Sequence, residues 1–178
     1  FVIISSKGSG SNLILLFSPT MNNPYYPLLT QAIERNAAKE GYNILLVNTH
    51  RNQETEKMNL KTLTEESSVA GIIYEFSPGF PDLVEEISES LPIVIVGEKD
   101  DNLNIDTIGL SSYKAGQLVA EHLLELGHEK IAYISSPIDR TSLSRKKRLE
   151  GIKDKLKQHG LENNLVVKID ENEHEILN

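Results

Sequence analysis

The chain has 178 residues, 39% of them hydrophobic and 25% charged, enough for one substantial core or for one domain plus part of another. Its net charge of −8 argues against the chain as a whole adhering to nucleic acid or to an anionic membrane, and the absence of cysteine excludes disulfides, thiolate metal sites and cysteine nucleophiles. No apolar run approaches the roughly 20 residues that span a bilayer.

The opening "FVIISSKGSGSN" is too short in its apolar part for a signal-peptide core, and residues 1–11 read as a flexible lead-in. "NLILLF" (12–17) is a continuous apolar run, the pattern of a strand buried on both faces. From Pro27 to Glu40, Leu28, Leu29, Ala32, Ile33 and Ala37 share one helical face, and Gly41 supplies a stop. Strands are expected at 42–49, 70–76, 91–97 and 106–110. A polar surface helix is predicted over 52–67 and a short helix near 80–90. Ala115, Leu118, Val119, His122, Leu123 and Leu126 then recur at helical spacing, with Ser111 and Ser112 available as caps and Gly127 as the stop. A strand at 130–136, a helix at 142–160 and a strand at 165–169 follow. Repeated β–α–β order implies a mostly parallel α/β sheet, doubly wound by helices on both faces. Ligands of such sheets bind outside the carboxyl ends of the strands.

Two features stand at those ends. "NNPYYP" follows the first strand, where Asn23, Tyr25 and Tyr26 either grip a small ligand with apolar faces and polar tips or pack around a helix start with Pro27 at its first position. Glu75 ends the third strand, as an acceptor for ligand hydroxyls or as a solvated strand-end acid. The segment 140–157 holds eight basic residues, Arg140 among them, against Glu150 and Asp154, leaving about −14 on the rest of the chain. A solvated helix face is the usual outcome of such a run. Arg148 differs by lying next to the apolar stripe of Leu149, Ile152 and Leu156, where a guanidinium can turn inward as a bidentate donor.

Enzyme signatures are lacking. "GSGS" precedes its strand rather than opening a helix, so it is no dinucleotide loop, and no nucleophile elbow is present. His122 and His128 lack metal-ligand spacing, and His122 is expected to pack or cap. The acids of "GEKDDNLNID" lack the spacing of a calcium loop and read as a polar surface loop. No metal, cofactor or catalytic residue is assigned.

Taken in order, "LILLFSPTMNNPYYPLLTQAIERNAAKEGYNILLVNT", "VAGIIYEF", "PIVIVGE", "AGQLVAEHLLELGHEKIAYISSP" and "SRKKRLEGIKDKLKQHGL" resemble the effector-binding domain of lactose-repressor/galactose-repressor (LacI/GalR) transcription factors, from about Asn12 to Asp170. The resemblance implies a periplasmic-binding-protein-like fold of two subdomains with a small molecule, usually a sugar or related metabolite, between them. It implies an N-terminal subdomain at 12–127 and a partial C-terminal subdomain at 128–178, with effector contacts at Tyr25, Tyr26, Glu75 and Arg148, to which the residue reading adds Asn23 as a candidate. Family members commonly carry aspartate where Ser111 stands. A cytoplasmic homodimer is implied, reaching operator DNA through a helix-turn-helix that has no counterpart in these residues. A sugar-binding protein of a transporter shares the fold and is the alternative.

Overall fold

The computed structural model describes residues 11–66, 68–98, 101–138 and 143–169, with the side chain of residue 66 excepted. The lead-in before residue 11, Arg140, part of the 97–106 loop and the acidic tail after 169 therefore lie outside the described residues. The chain divides after Ile108 into two compact units.

In the first unit, β1 (Leu13–Ser18) is buried on both faces as its apolar run predicts, and β3 (Gly71–Tyr74) and β4 (Ile93–Val96) are buried likewise. With β2 (Asn43–Asn48) and β5 (Asp106–Ile108) at the edges they form an all-parallel sheet in the order β2-β1-β3-β4-β5. Alternation along β1 sends Leu15 and Phe17 to one face and Ile14 and Leu16 to the other. The first face packs against Leu60 and Leu63 of α2 (Gln53–Glu66) and Val84 and Ile87 of α3 (Pro81–Ser88). The second packs against Ile33 of α1 (Tyr25–Lys39). Stacking of Phe17 on Tyr74, with centroids 4.8 Å apart, joins β1 to β3 within the first core.

Three expectations change here. Helix α1 starts at Tyr25, so Pro27 is its third residue rather than its first. Proline is accepted there because the first turn's N–H groups have no intrahelical acceptor. Helix α2 is not purely a surface helix, since Leu60 and Glu56 are each 1% exposed. The 97–106 loop is not purely polar surface either: Leu103 and Ile105 enter the core.

The second unit contains α4 (Ser112–Glu125), β6 (Ile131–Ser135), α5 (Leu143–Gln158) and β7 (Leu165–Ile169), with β6 and β7 paired in parallel. Within this unit α4 packs against α5. The apolar spacing of α4 predicts burial of its large residues, yet Leu118, Val119 and Leu126 are exposed within this chain, as is His122. Ser112, Gly116 and Ala120 are buried instead. The reason is the approach of α5. A Cβ added to Gly116 would stand 2.1 Å from the Arg148 carbonyl oxygen, and one added to Gly151 the same distance from that of Tyr113. The two backbones meet across a pair of glycines, so the contact face must be the small-residue face. Rim contacts bracket it: the Tyr113 hydroxyl donates to Asp154 (2.8 Å) and Lys155 pairs with Glu121 (2.9 Å). Among the described residues no helix is long and apolar enough to cross a membrane.

Two predictions follow from this packing. Gly116→Ala should destabilise the second unit by about 1–3 kcal/mol through overpacking, while Leu118→Ala on the exposed face should cost well under 1 kcal/mol; urea denaturation of both variants checks this. Burial pushes the Glu56 carboxyl up to about 7 from its ordinary 4.5, against a smaller lowering by the Gly79 amide. The folded state thus holds this proton more tightly than the unfolded chain. The stability linked to it is fully present below about pH 4.5 and lost as pH rises through about 7, by up to about 3 kcal/mol. Denaturation profiles across that window should slope downward with pH, and Glu56→Gln should reduce the slope.

Candidate functional site

Strand order places β1 between β2 and β3, so the connections leaving β1 and β3 depart to opposite faces of the sheet. Helix α1 covers one face, and α3 covers the other. The carboxyl ends of β1 and β3 therefore border the crevice in which doubly wound sheets hold ligands. Ser18 closes β1 there and is fully buried. Glu75 follows β3 directly, and its N–H donates to the Phe17 carbonyl at 2.9 Å, extending the ladder by one rung.

Glu75 is 4% exposed, so it is not a solvated strand-end acid. Its Oε1 accepts a hydrogen bond from the Thr30 hydroxyl of α1 at 3.1 Å. The neighbouring Ser18 also eases the charge, but its hydroxyl is drawn to the Thr20 carbonyl at 3.4 Å, and Oε2 is buried with no hydrogen-bond partner. Burial raises the Glu75 carboxyl above its ordinary range, and the two hydroxyls oppose that rise. A buried acceptor left unpaired costs about 1–3 kcal/mol, which a ligand donor would recover.

The loop from 19 to 24 is shaped by its own polar side chains. Thr20 Oγ1 accepts from the Asn22 N–H at 3.2 Å, and Asn23 Oδ1 accepts from the Tyr25 N–H at 3.0 Å. The Asn23 carbonyl accepts from the Tyr26 N–H at 3.2 Å, so Asn23 fixes the first turn of α1 through two acceptors. Both tyrosines stand within that turn. Their rings meet edge to face at 5.2 Å, with Tyr25 56% exposed and Tyr26 half-buried. Tyr26 and Thr30 lie four residues apart and hence on one side of α1, the side whose Thr30 reaches Glu75.

The structure thus gathers Asn23, Tyr25, Tyr26 and Glu75 at one end of the first unit. Arg148 belongs to the second. There its backbone is packed beneath Gly116 and its side chain is exposed, so it does not turn into the stripe formed by Leu149, Ile152 and Leu156. Ser111, at the position where aspartate is common, caps α4: its Oγ accepts from the Lys114 N–H at 3.2 Å. Sequence reasoning missed Ser18 and Thr30. Thr30 carried a signal, because it shares the face of Ile33 and Ala37 and is the one fully buried residue of α1. Ser18 carried none beyond its place at the end of a strand.

Comparison with known proteins agrees with this architecture. The family described as "Periplasmic binding proteins and sugar binding domain of LacI family" matches residues 11–176. The HTH-type transcriptional regulator DegA of Bacillus subtilis is 29% identical over 86% of this chain and 46% of its own length. The ribose operon repressor of Lactococcus lactis is 30% identical over 79% of this chain and 41% of its own. Both are regulators of transcription, and the chain spans less than half the length of either. A periplasmic binding protein/LacI transcriptional regulator from Alkaliphilus metalliredigens, solved in complex with D-xylulofuranose, superposes with a TM-score of 0.73. It is 28% identical, with 93% of this chain and 59% of that one covered. By profile, by relatives and by fold, the chain belongs to the LacI family, as a periplasmic-binding-protein-like effector-binding domain.

Proposed function

We propose that this chain is the effector-sensing part of a cytoplasmic LacI-type transcriptional repressor, and that its effector is a sugar or sugar derivative. The observation that carries the reading is the Glu75 carboxyl at the β1/β3 carboxyl ends, with a buried oxygen that has no donor. A sugar hydroxyl is such a donor, and the D-xylulofuranose complex of a relative supports that class. Tyr25 and Tyr26 supply ring faces for the apolar side of a sugar, and Asn23 holds their turn in place. Arg148 supplies a further donor from the second unit. We place the division between subdomains near residue 127 by crossover order.

Transmission to DNA follows from thermodynamics. An effector shifts a regulator between two states only by the difference in its affinity for them. We propose that the states differ in the closure of the two subdomains and that a homodimer passes the change to a helix-turn-helix outside these 178 residues. The regulators among the relatives favour this over the transporter reading.

A thermal-shift screen of the full-length protein against pentoses, hexoses, their phosphates and nucleosides tests the reading. A sugar at 100 times its dissociation constant should add about 2.7 kcal/mol of stability. Glu75→Gln, which converts one acceptor oxygen into a donor, and Tyr26→Ala should each weaken that hit at least tenfold. Unchanged affinity in both variants, or a nucleoside hit with no sugar hit, would overturn the assignment.

A further inference from the structure

The connection between β3 and α3, residues 75–80, starts with Glu75 and is gripped at its far end by one turn of α2. Glu56 Oε1 accepts a hydrogen bond from the Gly79 N–H at 3.0 Å. Lys57 sets its ammonium 4.9 Å from the centroid of the Phe80 ring. Gln53 lies against Gly79 from the preceding turn, so that a Cβ on Gly79 would meet Gln53 Cγ and Glu56 Oε2, both at 3.1 Å. Three side chains of α2 thus fix two consecutive residues of the loop.

Helix α2 is in turn tied to the end of β1. The Thr49 N–H and hydroxyl both donate to the Ser18 carbonyl, at 2.9 and 3.2 Å. The Asn52 N–H donates to the Thr49 carbonyl, and Asn52 Oδ1 accepts from the Thr55 N–H, each at 2.9 Å. Between them His50 and Arg51 stand at φ 51° and 56°, a left-handed pair that non-glycine residues adopt only where the surroundings impose it. The path from Ser18 through α2 to Gly79 is a frame around the candidate site.

A carboxyl is a costly choice for holding one backbone N–H, since a hydroxyl or amide would do so without a buried charge. We propose that Glu56 is a positioning residue: through Gly79 it sets where the 75–80 loop, and with it Glu75, stands, and it does so differently in its two protonation states. The proposal rests on Glu75 belonging to the effector site. Ionised, Glu56 is a charged acceptor that tightens on the Gly79 N–H; protonated, it is a weaker one and the loop relaxes. The groups around it leave this proton to Glu56. Residues 76–80 carry no titratable side chain. From β3 the Tyr74 hydroxyl, buried without a hydrogen-bond partner, is kept protonated by its burial and by the Glu56 charge. Lys57 is engaged with Phe80.

Amide NMR of the 178-residue chain from pH 5.5 to 8.5 tests this without any effector. The Gly79 amide proton should move downfield as pH rises, with a midpoint near 7. The amides of Glu75, Phe76 and Ser77 should carry a component with the same midpoint. Glu56→Gln should abolish both. A Glu75→Gln variant removes the titration of Glu75 itself and should keep both, which also decides the matter if Glu56→Gln does not fold. A Gly79 amide that does not titrate would overturn the proposal, and so would a Glu56-dependent component confined to Gly79. Failure of the sugar screen would leave this result unchanged, so the two readings fail separately.

Discussion

The placement of β1 between β2 and β3 is the constraint on which the candidate site depends. Parallel strands need crossover helices, and because β2 and β3 lie on either side of β1, the crossovers leaving β1 and β3 run in opposite directions and cover opposite faces. That is why the 19–24 loop and the 75–80 loop separate at the carboxyl ends of β1 and β3. What lies between them cannot be filled by the sheet itself. Ser18 and Glu75 occupy the two strand ends, and Thr30 of α1 bridges toward Glu75.

Glu75 and Glu56 show two uses of a buried carboxyl around one loop. Both are pushed up by burial, and both are only partly compensated. Glu75 is tied to α1 by one oxygen and keeps the other without a partner, the arrangement expected of a group that waits for a ligand donor. Glu56 spends its hydrogen bond on the loop's own backbone. In the functions proposed for them, the first meets the effector and the second fixes the frame. Neither would be retained for stability alone, because an apolar residue of similar volume buries at lower cost.

Strand positions and the α/β class were legible because runs such as "LILLF" and "IVIV" admit few alternatives, and the glycines at 41 and 127 end their helices as composition suggests. The site was legible only in part. Glu75, Tyr25 and Tyr26 could be placed at strand ends and a helix start, but burial of Glu75 depends on α1 folding over it. Periodicity misled at α4. Large apolar residues there mark a face exposed in this chain, while the packed face is Ser112, Gly116 and Ala120. A moment built on hydrophobicity weighs Leu118 heavily and gives no weight to the missing Cβ of Gly116, although it is that absence which lets the Arg148 carbonyl approach. Arg148 was read from the same kind of pattern. Adjacency to an apolar stripe fixes the neighbouring backbone but leaves a long side chain's direction open.

One signal would have recovered more of the site. Thr30 lies three residues before Ile33, and Glu56 four residues before Leu60, so each is a polar residue on the buried face of its helix. A helix bears the cost of a polar group at such a position only where the group meets a partner that the apolar core cannot offer. At the carboxyl ends of parallel strands that partner is the strand-end carboxyl or the loop amide: Thr30 meets Glu75, and Glu56 meets Gly79. Both contacts converge on residues 75–80 from opposite faces of the sheet, α1 on one side and α2 on the other. The loop is therefore held at its first residue by one helix and near its last by another. A change in either grip would move the same carboxylate, and so the geometry that ties the sheet together also makes Glu75 responsive to both layers around it.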